Sequence, residues 1–175
     1  MIEINRVFWL FILFFAVIGA LRGWAKELLV IFSLLLALFL NDIIEKYVPG
    51  FSGALSAQDP KVQFWVRMSF FSALAFFGYQ TPNLSSFVGS KAVARDRLQS
   101  FLLGFFMGGI NGWLFIGTLW YYLHFLNYPF EGMSPPSDPA SVERYIQYLP
   151  PLFVSSPSIY FAVGIAFVFV IIVFI

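Results

Sequence analysis

Hydrophobic positions fall into five long runs, roughly 6–21, 28–40, 64–80, 98–123 and 158–175, separated by stretches that hold most of the charge. A helix needs about 20 residues to cross a ~30 Å hydrocarbon layer at 1.5 Å per residue. The fourth run is long enough with some tilt. The third and fifth suffice when flanking residues are counted. The first two are each too short for a crossing and together too long for one, with Arg22, Gly23, Lys26 and Glu27 between them. Two arrangements fit: a tight helical hairpin with the charges at its tip, or one short span with a re-entrant partner. The hairpin is preferred, because Gly23 permits the turn while Arg22 and Lys26 snorkel to the headgroups. The expected fold is all-α, a polytopic membrane helix bundle of four to five transmembrane helices that opens with a short helical hairpin.

The connections add detail. Residues 41–61 and 81–97 read as polar links, and 124–157 holds seven of the ten prolines. Within that segment Asp138-Pro139 is a helix start, with proline at the first helical position. Val142, Tyr145, Ile146 and Leu149 then share one face, so 139–149 is expected to be a short amphipathic helix on the membrane surface or against the bundle. The chain divides into a membrane domain (1–125), a proline-rich extramembrane loop (126–157) and a further transmembrane helix (158–175). The last run ends at Ile175 without a polar anchor, as in a truncated part of a longer protein.

Composition supports lipid as the solvent. Of 175 residues, 60% are hydrophobic and 11% charged, and mean hydropathy is +0.84. A soluble domain has about 25% charged residues, and one this small cannot enclose so much apolar surface. Twenty-four phenylalanines suit lipid-facing and interfacial positions. A net charge of +1 gives no reason to expect nucleic acid. With no cysteine and one histidine, thiolate and multi-histidine metal sites are excluded, and no cofactor is expected. Arg6 and the apolar run after it have the outline of a signal peptide. Ile18 occupies a position where cleavage after Ala20 needs a small residue, and a second apolar run follows, so this is read as an uncleaved membrane segment. The basic loop 81–97 and the Arg22/Lys26 tip share one side, which the positive-inside rule assigns to the cytoplasm.

Few residues carry candidate chemistry. Gly104, Gly108 and Gly112 form overlapping GxxxG units that favour close helix approach. Packing within the chain, against Gly19, Gly23, Ala16 and Ala20, is the preferred reading, and a homo-oligomer seam is the alternative. Asn111, in the same helix, is expected to hydrogen-bond a neighbouring helix, with a polar path as the sharper possibility. Arg22, Lys26 and Glu27 are ionisable groups inside a membrane segment, which mark a functional site by default; charges resting in the interface explain them equally well. A turn at Gly23 frees Arg22 to approach Glu27 or lipid phosphate. His124, after Trp120, Tyr121 and Tyr122, reads as part of an interfacial aromatic belt in preference to an axial haem or chlorophyll ligand. No catalytic set or phosphate-binding glycine loop can be assembled, and an enzyme is not expected.

Arg22-Gly23-Trp24-Ala25-Lys26-Glu27, set between two apolar runs, resembles the Arg-Gly-aromatic-x-basic-Glu signature of the colicin V production protein family. Asp96-Arg97-Leu98, leading into the glycine-bearing helix from Gly104 to Trp113, is similar to the Asp-Arg pair that opens that family's last conserved helix. The resemblance covers roughly residues 1–125. It implies a small bacterial inner-membrane protein linked to colicin export and envelope robustness, with Arg22, Gly23, Glu27, Asp96, Arg97 and Gly112 at matching positions. Asn111-Gly112 departs from the Arg-Gly the family often has there. The function expected is non-enzymatic, transport- or channel-like or envelope-related, with the bilayer and further copies of the chain as partners. The alternative is an accessory or scaffold subunit of a larger photosynthetic or respiratory membrane complex.

Overall fold

The computed structural model describes residues 2–80, 96–155 and 157–174. Its elements are β1 (Ile2–Glu3), α1 (Ile4–Arg22), α2 (Trp24–Tyr47), α3 (Phe51–Ser56), α4 (Pro60–Tyr79), α5 (Asp96–Phe125), β2 (Met133–Ser134), α6 (Pro139–Ile146), α7 (Pro150–Phe153) and α8 (Ser158–Phe174). The all-α membrane-type bundle expected from the apolar runs is present, and three helices, residues 4–22, 24–47 and 97–125, are long and apolar enough to cross a membrane.

The first two helices correct the expectation that each early run is too short. α1 has 19 residues and α2 has 24. The extra length of α2 comes from the segment read as a polar connection. Asp42 and Lys46 pair along the helix at 2.6 Å, and Glu45 takes Arg67 from α4, so polar residues extend the helix here. The break between α1 and α2 is one residue, Gly23, at φ 87° and ψ 153°, where a side chain is strained.

The chain then runs back and forth. α1 lies antiparallel along α5, with Gly19 against Gly104 and Gly108 and Phe8 against Trp120 at the far end. α2 is antiparallel to α4, from Val30 and Ser33 beside Gly78 to Glu45 beside Arg67. It is also antiparallel to α8, through Phe32–Phe167 and Phe39–Tyr160. Both α1 and α2 pack on α5 and touch each other little, so α5 fills the opening of the hairpin. The core lies where these helices meet, around Val30, Leu34, Phe71, Leu114 and Trp120. The outward faces of α1 and α8 carry exposed Leu10, Phe14, Phe161 and Ile165, as lipid-facing helices do.

The proline-rich segment folds back on the bundle. α6 ends at Ile146 rather than 149, because Leu149 precedes Pro150 and adopts an extended conformation. Leu149 is buried, Tyr145 packs on Trp120, and Trp113 donates its indole hydrogen to the Tyr148 carbonyl. β1 and β2 form a two-residue parallel bridge, so the start of α1 is tied to the same segment.

Candidate polar centre at the helix break

The backbone reversal at Gly23 sets the last turn of α1 beside the first turn of α2. Arg22 thus stands at a negative helix end and Glu27 at a positive one, the favourable sign for each. Arg22 Nη1 donates to Glu27 Oε1 at 2.6 Å. From α5, Asn111 Nδ2 donates to Glu27 Oε2 at 2.8 Å and to the Glu27 carbonyl at 3.0 Å. The Glu27 carboxylate is therefore held on both oxygens. It is 1% exposed, and Asn111 is fully buried.

α4 completes the centre. The Arg22 guanidinium carbon lies 4.6 Å from the Tyr79 ring centroid, and Arg22 Nη2 donates at 3.5 Å to the Tyr79 carbonyl. Stacking on an aromatic face and bonding to a helix-end carbonyl both suit guanidinium better than ammonium. Among the described residues, Asn111 Oδ1 and the Tyr79 hydroxyl, both buried, have no hydrogen-bond partner. Leaving such an atom unpaired costs about 1–3 kcal/mol.

The glycines bring the helices to this distance. A Cβ on Gly19 would lie 2.7 Å from Gly108 Cα, and one on Gly112 would lie 3.0 Å from Ile12 Cα. Gly104, Gly108 and Gly112 thus face α1. Of the other residues singled out in the sequence, Lys26 is partly exposed in the first turn of α2, and Arg97 is exposed at the start of α5. Asp96 opens α5, but its side chain lies outside the described residues, as do Lys91 and Arg95 of the basic loop. His124 stands apart at the other end of α5, its Nδ1 3.4 Å from the Tyr128 hydroxyl.

Sequence reasoning missed Tyr79, since an aromatic ending an apolar run reads as interfacial. It also missed a second polar cluster at the far end of the bundle. There Arg67 is 7% exposed, donates from Nε to Glu45 Oε1 at 2.7 Å, and faces the rings of Tyr122 and Phe125. An arginine inside an apolar run was the available signal.

Along α2 the two polar layers are separated by Val30, Leu34, Ala37 and Leu38, all buried. Glu27 and Asn41 are about 21 Å apart along the helix axis. Among the described residues no group of three or more metal-ligating side chains forms. No protein-family model, curated protein or solved structure matches the chain.

Proposed function

We propose that the chain is a non-enzymatic, multi-pass protein of the bacterial inner membrane, of the colicin V production type, that passes an ion or small polar solute. The observation that carries this reading is the fully buried Glu27 carboxylate, clamped by Arg22 and Asn111 where two apolar helices break. Desolvating an ion pair costs several kcal/mol per ion, and a hydrophobic replacement is often as stable, so such a pair is a poor device for stability. Ionisable groups at membrane depth accompany ion and solute pathways. In this reading the buried stretch from Val30 to Leu38 is the seal of a closed state, and its support is the polar layer at each end. Passage then requires α1 and α2 to move about Gly23.

The test is flux in proteoliposomes made with the purified chain, using proton, potassium and small-solute reporters. Wild-type flux that falls at least about tenfold in Glu27→Gln and Asn111→Leu, the loss of about one buried charge-assisted bond, supports the proposal. Wild-type vesicles as tight as protein-free ones refute it.

A further inference from the structure

A cavity of about 830 Å³ opens where the end of α5 meets the proline-rich segment. That volume lies within the range of ligand pockets. Val142, Glu143, Ile146 and Gln147 line it from α6 and the turn that ends it. These positions share one helix face, while Tyr145 packs on Trp120 away from the cavity. Leu152 and Pro136 add to a wall that is mostly apolar.

Two independent observations mark this cavity. Among the described residues, Asn127 and Tyr128 are the two non-glycine positions with positive φ, at 55° and 52°, and both line it. A left-handed backbone is uncommon for tyrosine, and such strain gathers at ligand sites. Here it brings the Tyr128 hydroxyl to the Trp120 indole, which donates at 3.2 Å, and within 3.4 Å of His124 Nδ1. The aromatic part of the wall is thereby fixed. The second observation is charge. Glu143 is the one charged residue among the described lining, and its side chain is exposed. Residues 124–157 hold Glu131, Asp138 and Glu143 against Arg144 alone, so the surrounding field is negative. An anion meets the wrong sign. A bare metal ion needs several oxygen ligands, which one carboxylate in an apolar wall does not supply. An organic cation with an apolar body suits the carboxylate, the Tyr128 ring and the apolar wall together.

We propose that this cavity binds a lipophilic organic cation, its charge beside Glu143 and its apolar body against Val142, Ile146 and Leu152. The site stands at the end of α5 away from the Glu27 centre, and the inference does not rest on transport.

The test uses the full chain in nanodiscs, with empty nanodiscs as the background. Tetraphenylphosphonium and tetraphenylborate are the probes, since they share a shape and differ in the sign of their charge. Each is titrated separately by equilibrium dialysis. Saturable binding of the cation above background is expected, and none of the anion. Glu143→Gln is expected to weaken cation binding about threefold or more. Gln147→Lys, which sets a like charge in the same wall, is expected to weaken it at least as much. Both positions are exposed, so neither substitution disturbs the core. Equal saturable binding of the two probes overturns the proposal, because shape alone would then account for it. Absence of saturable cation binding overturns it as well, and so does an affinity that both substitutions leave unchanged.

Discussion

Gly108 and Gly109 are adjacent in α5, and the structure assigns them opposite tolerances. A Cβ on Gly108 would lie 2.9 Å from Gly19 Cα and 3.1 Å from Ala16 Cα, with the Phe15 carbonyl closer still. Carbon atoms in good contact are 3.5–4.0 Å apart. Backbone atoms cannot rotate aside, so α1 must withdraw by roughly half an ångström to one ångström along its whole face. Overpacking of this kind costs about 1–3 kcal/mol. A Cβ on Gly109 would meet only the Ala16 side chain, at 3.8 Å, which is ordinary contact. Both replacements gain the same helix propensity, about 1 kcal/mol, so their difference isolates packing. Gly108→Ala is expected to be less stable than Gly109→Ala by about 1–3 kcal/mol. Unfolding in mixed micelles by sodium dodecyl sulfate titration, followed by tryptophan fluorescence, measures that difference. Equal midpoints and slopes for the two variants would refute the close seating of α1 on α5.

Three further outcomes follow from the polar groups. Tyr79→Phe keeps the ring beneath Arg22 and removes a buried hydroxyl without a partner, so stability in the same titration is expected to hold or rise by about 1 kcal/mol; a loss of that size contradicts the assignment. A double-mutant cycle of Arg22→Ala and Glu27→Gln is expected to give a coupling of about 1–3 kcal/mol, and strict additivity would remove the ion pair from the account. Glu3 accepts from the hydroxyl and amide of Ser137, which hold its carboxyl below the ordinary range, with Arg6 assisting. Its contribution is therefore present above the ordinary carboxylate range and is lost as pH falls through the depressed folded value. Amide exchange around Ser137, corrected for intrinsic rates, is expected to speed up on acidification while that of α5 does not, and Glu3→Gln should erase the difference.

The membrane bundle was legible because apolar run length reports on lipid directly. The break at Gly23 was legible too, since charges on both sides of a glycine between apolar runs leave few alternatives. Helix ends were harder. Asn41, Asp42, Glu45 and Lys46 read as a connection, yet they continue α2 because their partners lie on α4 and along the helix itself. Polarity in one chain segment does not disclose a partner twenty residues on. The Glu27–Asn111 contact spans 84 residues, and Tyr79 reaches Arg22 across 57. Each residue had a bland reading alone, and only their convergence marks a site. The role of the proline-rich segment was half visible: Asp138-Pro139 starts a helix as expected, whereas the approach of Pro150 to Gly117 has no local signature.

The spacing of the clamp around Glu27 also bears on how the chain enters the bilayer. A carboxylate or guanidinium costs about 2.5–3.5 kcal/mol at the centre of an inserting helix and less toward its ends, where Arg22 and Glu27 stand. Arg22 is five residues from Glu27 and available as soon as the turn at Gly23 forms, so the hairpin can enter lipid with its opposing charges already matched. Asn111 arrives only after α5 has been made. During that interval Glu27 Oε2 lacks its α5 donor, and the glycine face of α5 is not yet there to receive α1. The helix break thus matches its two opposite charges locally, five residues apart, while the remaining partners of the set come from the distant helices α4 and α5.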